Sequence, residues 1–251
     1  MRVAIAIATC AACGRIDFGT IARVDAGADA PAVGDAPDAA VAASFYAISA
    51  GTSMTELMTM DVATAQLTHV GYITSSFGQL GGLAYWDSNT LYATGSGVVV
   101  QITLSPFAAT QVASGVGNIS ALERDDDTLL GLNQTSNAMV RFTPPYSNVS
   151  TVAFGTTISG GDIVKLSDGT WYYYSNASNQ LFTFDATAGT ATAVGPANAG
   201  GPFISGMVRD DSDHLFVTSD TVDALIALDT STGQLGASVT LCARLSSSTQ
   251  A

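Results

Sequence analysis

Residues 171–209 read WYYYSNASNQLFTFDATAGTATAVGPANAGGPFISGMVR, and this stretch decides the fold. It contains four short apolar runs, at 171–175, 181–185, 192–195 and 204–209, separated by segments rich in Asn, Gly, Thr and Pro. Short runs bounded by turn residues are typical of β-strands and not of helices. The stretch therefore predicts four antiparallel strands.

The same pattern recurs along the chain. Its opening strand is repeated after 46, 38, 42 and 44 residues, and its second strand ends in Asp or Thr after 42, 40, 42 and 44 residues. A further strand precedes each later unit and is followed by a turn that is usually rich in Asp. The opening strands begin at Phe45, Leu91, Leu129, Trp171 and Leu215, and the second strands end at Asp61, Thr103, Thr143, Asp185 and Asp229.

This repeat predicts an all-β fold, a β-propeller-like array of about five four-stranded repeats. One such repeat cannot bury both faces of its sheet, so neighbours must stack around an axis. Residues 45–240 resemble the broad NHL, PQQ and YWTD-like propeller superfamily, and that resemblance implies a fold but no particular activity. A β-sandwich would not require such regular internal similarity, and the coil of a β-solenoid would be shorter.

The strand count leaves the closure of the ring open. Five repeats carry the opening, second and third strands, but only four carry the preceding strand. Either Leu241 to Leu245 supply a stunted closing strand, which would remove the exposed edges, or the array is a truncated part of a longer propeller. The sequence alone does not choose between these two readings.

Composition excludes some classes of function. The formal charge is −13 and only 12% of residues are charged, with a single lysine, Lys165. A strongly acidic chain repels phosphate backbones, so we expect no nucleic-acid partner. Three cysteines, at positions 10, 13 and 242, are too few for a disulfide framework or a structural zinc site.

The N-terminus predicts export. Arg2 is followed by an apolar stretch from Val3 to Ala12, which is too short to span a bilayer. The segment Cys10-Ala-Ala-Cys13-Gly resembles a bacterial lipoprotein signal, and this resemblance implies lipid attachment at Cys13 and residence in the cell envelope, with the membrane contacted through the anchor only. The alternatives are an ordinary secretory signal cut near Ala12 and an apolar start without a targeting role.

The segment that follows predicts a tether. Residues 14–43 are rich in Ala, Asp, Gly and Pro and cannot bury enough apolar surface to offset the entropy of ordering. We therefore divide the chain into a signal segment at 1–13, a disordered linker at 14–43, the propeller at 44–243 and a frayed tail at 244–251. The run CGRIDFG with its Asp, Ala and Pro tract is also similar to exported lipoproteins of myxobacteria.

Candidate contact residues lie in two polar loops, at 133–137 and 175–179, which follow the opening strands of consecutive repeats. In propellers such loops lie on the face that usually binds ligands, which predicts contacts by Asn133, Asn137, Asn176 and Asn179. The Asp runs at 125–127 and 210–213 are interpreted as hairpin turns and not as calcium sites. His69 and His214 are expected on the surface, and no catalytic residue, metal or cofactor is predicted.

These observations favour a noncatalytic envelope lipoprotein whose propeller is an interaction or ligand-binding platform for an unidentified protein or small molecule. The alternatives are a propeller hydrolase or lyase with a site built from loops, and a truncated remnant without independent activity. The enzyme hypothesis requires acidic and histidine side chains to converge at the central channel.

Overall fold

A computed structural model describes residues 15–19, 44–50, 54–62, 64–95, 97–146, 148–219 and 221–243. They form 21 β-strands and one short 3-10 turn, Ser75–Phe77. Within these ranges no helix is long and apolar enough to cross a membrane.

The strands form five antiparallel sheets, or blades, and each begins with its innermost strand. Blade 1 contains β1 (Arg15–Gly19), β2 (Ser44–Ala50), β3 (Thr55–Asp61) and β4 (Gln66–Ile73). Blade 2 contains β5 (Gly82–Asp87), β6 (Thr90–Gly95), β7 (Val98–Leu104) and β8 (Phe107–Ser114). Blade 3 contains β9 (Ile119–Asp125), β10 (Thr128–Asn133), β11 (Ala138–Thr143) and β12 (Asn148–Ala153). Blade 4 contains β13 (Ile163–Lys165), β14 (Trp171–Ser175), β15 (Gln180–Phe184) and β16 (Ala191–Val194). Blade 5 contains β17 (Gly206–Arg209), β18 (Leu215–Ser219), β19 (Ala224–Leu228) and β20 (Leu235–Thr240), and the last strand of the chain is β21 (Cys242–Ala243).

The innermost strands close a ring, since β1 contacts β5, β5 contacts β9, β9 contacts β13, β13 contacts β17 and β17 contacts β1. The fold is therefore a five-bladed β-propeller, as the repeat pattern predicted. Five core clusters of buried apolar side chains lie one at each interface between neighbouring blades. This arrangement follows from the repeat, because each blade can bury its two apolar faces only against its neighbours.

Alternation along β14 shows how the sequence divides its side chains between two interfaces. Trp171 and Tyr173 pack in the cluster against blade 3, while Tyr172 and Tyr174 pack in the cluster against blade 5. Successive residues of a strand point to opposite faces of the sheet, so four consecutive aromatic residues serve two cores.

The strand that blade 1 lacks in the repeat count comes from the N-terminal side. Arg15–Gly19 pairs with β2 in register, from Arg15 opposite Ala50 to Gly19 opposite Tyr46. The structure therefore places these five residues in the first blade, although the sequence analysis assigned them to the linker. The other linker residues, 14 and 20–43, lie outside the described part of the chain, as do the signal segment and the tail.

The expected closing strand near residue 241 is found at a different place. Cys242 and Ala243 pair in parallel with Gln66 and Leu67 on β4, at the outer edge of blade 1. The C-terminal segment thus covers the outer edge of blade 1. The innermost position, which the sequence analysis offered to residues 241–245, is filled by the N-terminal strand β1.

Antiparallel pairing gives the ring two distinct faces. The aspartate face carries the turns between first and second strands, such as 125–128 and 165–171, and those between third and fourth strands, such as 184–191. The connection face carries the turns between second and third strands, such as 133–138 and 175–180, and the segments that lead from one blade to the next, such as 153–163 and 194–206.

Candidate functional site

The four asparagines predicted to contact a ligand lie on the connection face, and three of them bind the protein's own main chain. The Nδ2 of Asn137 donates to the carbonyls of Phe154 and Thr156, each at 3.1 Å, and its Oδ1 accepts from the Ile158 N–H at 2.8 Å. Asn137 therefore holds the segment that connects blade 3 to blade 4.

Asn176 and Asn133 make equivalent connections. Asn176 donates to the Ile204 carbonyl at 2.7 Å and accepts from the Ile204 N–H at 2.8 Å. Asn133 donates to the Val116 carbonyl at 3.2 Å and accepts from the N–H groups of Thr135 and Ser136 within its own turn. These amide groups order the connection face, and their contact with a ligand stays a prediction.

The main chain of Asn179 resembles that of Asn137. Their φ angles are 48° and 50°, a left-handed conformation that Asn tolerates better than most residues. The carbonyl of Asn179 accepts from the main-chain N–H of Asn198 at 2.7 Å, and that of Asn137 accepts from the Phe154 N–H at 3.0 Å. Cys13, the predicted lipid attachment residue, lies outside the described residues.

The aspartate face carries a feature that the sequence analysis did not single out. All four Lys and Arg side chains that the structure describes, Arg124, Arg141, Lys165 and Arg209, lie there. Three of them follow the same pattern at the end of an innermost strand, where each binds the preceding blade. Arg124 donates to the Trp86 carbonyl, Lys165 donates to the Asp125 carboxylate at 2.7 Å, and Arg209 donates to the Lys165 carbonyl at 2.9 Å.

A groove opens on this face between blades 3 and 4, with a volume of about 580 Å³. Its charged part is the Asp125 carboxylate, which binds both Arg141 and Lys165. Arg141 also donates to the Thr128 hydroxyl at 2.8 Å, and the Lys165 ammonium lies 5.6 Å from the ring centroid of Trp171. The groove is lined by Asp125, Arg141, Lys165, Gly169, Trp171, Thr183, Phe184, Asp185, Ala186, Thr187, Thr190 and Thr192.

The two cations keep Asp125 ionised. Burial alone would raise the pKa of this carboxyl, but hydrogen bonds from Lys165 and Arg141, together with their charges, outweigh burial and hold the pKa below its usual value. Asp185 at the rim accepts from the main-chain N–H groups of Thr187 and Ala188, which lowers its pKa as well. Both carboxylates are therefore acceptors fixed by the protein and are not proton donors at neutral pH.

The Asp-rich turns have the roles that the sequence predicted. Asp210 accepts from the main-chain N–H groups of Ser212 and His214, each at 2.9 Å. Asp213 accepts from Ser167 of the neighbouring blade and from Arg209 at 3.0 Å. These contacts cap turns and join blades, as expected when Asp satisfies the amides of a turn.

The histidines are exposed, in agreement with the sequence analysis. His69 lies on β4 and its Nδ1 is 2.7 Å from the Glu56 carboxylate, while His214 in blade 5 pairs with Asp210 at 2.9 Å. They belong to different blades and do not share a site. The part of the chain that the structure describes holds no group of three or more His, Cys, Asp or Glu residues that could bind a metal ion.

The sequence analysis did not find the groove because its residues come from four separate hairpins. Asp125, Arg141, Lys165 and Asp185 converge only after blades 3 and 4 stack. A signal was nevertheless present, because Arg124, Lys165 and Arg209 occupy the same repeat position, at or next to the end of an innermost strand. A recurring cation in a chain so poor in Lys and Arg indicates a contact shared by all these blades.

No protein-family model matches the chain, and no curated protein matches it in sequence. Several proteins of known structure have a similar fold. Virginiamycin B lyase from Staphylococcus aureus matches with a TM-score of 0.51 and 12% identity, over 80% of this chain and 67% of the lyase. A nidogen/laminin complex matches with a TM-score of 0.58 and 10% identity, over 80% of this chain and 76% of the matched chain.

Glutaminyl cyclase from Myxococcus xanthus matches with a TM-score of 0.53 and 16% identity, over 69% of this chain and 81% of the cyclase. At such low identities the likeness concerns the fold alone, and the matched proteins have different activities. Together with the pairing of the strands, it places the chain among the β-propellers, with a ring of five blades.

Proposed function

We propose that the protein is a noncatalytic, exported lipoprotein whose propeller binds a small polar ligand in the groove between blades 3 and 4. The observation that carries this proposal is the groove itself, a cavity of about 580 Å³ whose lining contains two cations, two aspartates and several threonines. A concave site with a few convergent polar groups is the usual form of a small-molecule site.

The lining favours a ligand that offers hydrogen-bond acceptors, and we propose an anionic group such as a carboxylate. Arg141 has five N–H donors, and no acceptor for its Nε is found among the described residues. Lys165 has three donors and gives one to Asp125. A ligand carboxylate can therefore bind both cations without displacing Asp125.

A binding role is favoured over catalysis by the state of the acidic groups. Asp125 is paired with two cations, and the buried Asp162 accepts from the main-chain N–H groups of Ile163 and Met207, each at 2.9 Å. Carboxylates held in this way act as structural acceptors and not as general acids. His69 and His214 pair with different carboxylates, Glu56 and Asp210, in different blades.

The proposed cellular location rests on the N-terminal sequence. An Arg residue, a ten-residue apolar stretch and small residues before Cys13 support export and lipid attachment at that cysteine, and hence a place in the cell envelope. The acidic composition supports partners other than nucleic acids.

The ligand proposal is tested by thermal melts in the presence of a panel of small carboxylates, phosphate esters and neutral sugars. We expect some carboxylates to raise the melting temperature of the wild-type protein, because a ligand that binds the native state stabilises it. Lys165→Met should abolish this shift. Arg124→Met is the matched control, since Arg124 is also a cation at the end of an innermost strand but binds Trp86 on the side away from the groove.

Loss of the shift in both variants would mean that it reports on blade stability and not on the groove. A shift caused by neutral sugars alone would contradict the assigned ligand class. If no compound of the panel changes the melting temperature of the wild-type protein, although the protein and its variants unfold normally, the groove is not a ligand site.

A further inference from the structure

Large apolar side chains are exposed mainly at one part of the connection face. Met54 precedes β3 in blade 1, Val222 lies in the turn between β18 and β19 of blade 5, and Phe203 lies in the segment that enters blade 5. The Phe203 N–H donates to the Thr221 hydroxyl at 3.2 Å, which places Phe203 beside the turn that holds Val222. Blades 5 and 1 are neighbours in the ring, so the three residues lie on adjacent blades at the same face.

Two further exposed side chains lie next to this patch, at the corresponding ends of outer strands. Tyr72 precedes the last residue of β4 in blade 1, and Val239 precedes the last residue of β20 in blade 5. Of the large apolar side chains found exposed in the described ranges, Val149 alone lies toward the aspartate face. Five of the six exposed large apolar side chains of the described ranges thus lie toward the connection face.

Charge separates the two faces. The turns and segments of the connection face contain no Lys or Arg in the sequence, and their acidic residues are Asp162, Asp220 and Asp223; Arg15, the first residue of β1, is a cation at this end of its strand. The turns of the aspartate face contain eleven aspartates, at positions 61, 87, 125, 126, 127, 168, 185, 210, 211, 213 and 229. A surface of anionic lipid would repel the aspartate face and tolerate the connection face.

The direction of β1 places the expected anchor at the same patch. Arg15 is paired with Ala50, and Ala50 ends β2 at the turn that leads to Met54, so β1 begins on the connection face. Cys13 precedes Arg15 by two residues. Two residues span at most about 7 Å, so a lipid on Cys13 must enter the bilayer close to this face.

We propose that the connection face of the propeller lies directly on the lipid bilayer, with Met54, Phe203 and Val222 in its headgroup region. This inference rests on the proposed lipid anchor and replaces a long tether with a short one. The occupant of the patch is a lipid surface, because the proposed anchor, most of the exposed large apolar side chains and fewer aspartates than on the aspartate face all occur on one face. The groove on the aspartate face then points away from the membrane, toward soluble ligands.

The test uses the full chain, expressed in a bacterium that lipidates exported proteins and reconstituted in vesicles of phosphatidylcholine and phosphatidylglycerol. Val222→Trp introduces an indole on the connection face, and Val149→Trp introduces one on the aspartate face. The two valines are matched, with exposed fractions of 53% and 44%. Mass spectrometry of each variant establishes whether Cys13 carries lipid, and vesicles with bromine on the lipid chains quench an indole that lies in the bilayer.

We expect vesicle-bound Val222→Trp to lose emission when brominated lipid replaces ordinary lipid, and Val149→Trp to change no more than the wild-type protein. Equal quenching of the two variants on a lipidated chain would overturn the orientation and leave the anchor intact. An unmodified Cys13 would overturn the anchor of the proposed function, and the orientation with it. If Val222→Trp is unquenched but Cys13→Ser protein forms dimers that Val222→Asp abolishes, the patch binds a second copy and the proposal is wrong.

Discussion

The side-chain amide of Asn176 forms a pair of hydrogen bonds with the main chain of Ile204, donating at 2.7 Å to its carbonyl and accepting at 2.8 Å from its N–H. Ile204 is fully buried and starts the approach to the innermost strand of blade 5. One polar side chain on the surface of blade 4 therefore positions the core of the next blade.

Replacement of Asn176 tests this positioning. We expect Asn176→Ala to lower the free energy of unfolding by about 1–3 kcal/mol, because both main-chain groups of Ile204 lose their partner in a partly buried place. Urea denaturation of the purified protein measures the change. Ser178→Ala, an exposed change in the same loop, should stay within about 0.5 kcal/mol of wild type.

Acid should lower the free energy of unfolding, because it protonates Asp125. Its native pKa lies below the usual value, so its contribution to stability is present above about pH 4 and is lost as pH falls through the native pKa. Asp125→Asn should lower the free energy of unfolding at pH 7 by about 1–2 kcal/mol, a modest loss because water partly screens the pair. Urea denaturation at pH 7 and at several lower values should show a smaller pH dependence for the variant.

The matched control is Asp127→Asn, an exposed residue of the same turn. Its free energy of unfolding at pH 7 should stay within about 0.5 kcal/mol of the wild-type value. An equal loss of pH dependence in Asp127→Asn would show that the whole acidic turn, and not the contact with Arg141 and Lys165, sets the acid response.

Two glycines with similar backbones separate strain from steric overlap. Gly161 and Gly169 have φ of 75° and 88°, so alanine at either position is strained by about 1–2 kcal/mol. A Cβ on Gly161 would lie 1.8 Å from the Tyr174 carbonyl oxygen, whereas one on Gly169 meets nothing within 4 Å. The free energy of unfolding of Gly161→Ala should therefore be lower than that of Gly169→Ala by at least about 1–3 kcal/mol. Thermal melts of the two variants measure this difference. Equal melting temperatures would contradict the close approach of Gly161 to Tyr174.

The first blade should depend on its N-terminal strand. We expect a chain that begins at residue 14 to melt in one sharp transition, and one that begins at residue 44 to melt lower and over a wider range. The shorter chain leaves the innermost edge of β2 unpaired and removes the contact of β1 with β17. A synthetic peptide of residues 14–20 should restore the transition by adding the missing strand. Identical melts of the two chains would show that β1 does not contribute to the ring.

The fold could be predicted because its signal is local and repeated. Each strand from β2 to β20 is marked by a short apolar run between turn residues, and stacking of like units then follows. The role of Arg15–Gly19 could not be predicted in this way. Its five residues stand alone, 24 residues before their partner strand, in a stretch whose composition is typical of disorder.

The candidate site was harder to predict than the fold. The sequence analysis predicted ligand contacts from asparagines in the loops of hairpins. The side-chain amides of Asn133, Asn137 and Asn176 instead donate to main-chain carbonyls that come close only in the assembled ring. The cations of the groove lie at ordinary strand positions, and their shared contact with Asp125 depends on the distance between two blades. Local patterns in a sequence contain no measure of that distance.

The pairing of Cys242 with Gln66 joins residues that are 176 positions apart, and β1 meets β17 across a similar span. Closing so large a loop costs only about 3 kcal/mol more than closing one of about 5 residues, because the entropy grows with the logarithm of length. The large separation in sequence instead delays the closure of the ring. Blades 2 to 4 can assemble as they emerge from the ribosome, but the ring is sealed by the last strands made, and until then both ends of the array have exposed edges. Folding of this protein thus ends at blade 1, although that blade contains the first strand to be synthesised.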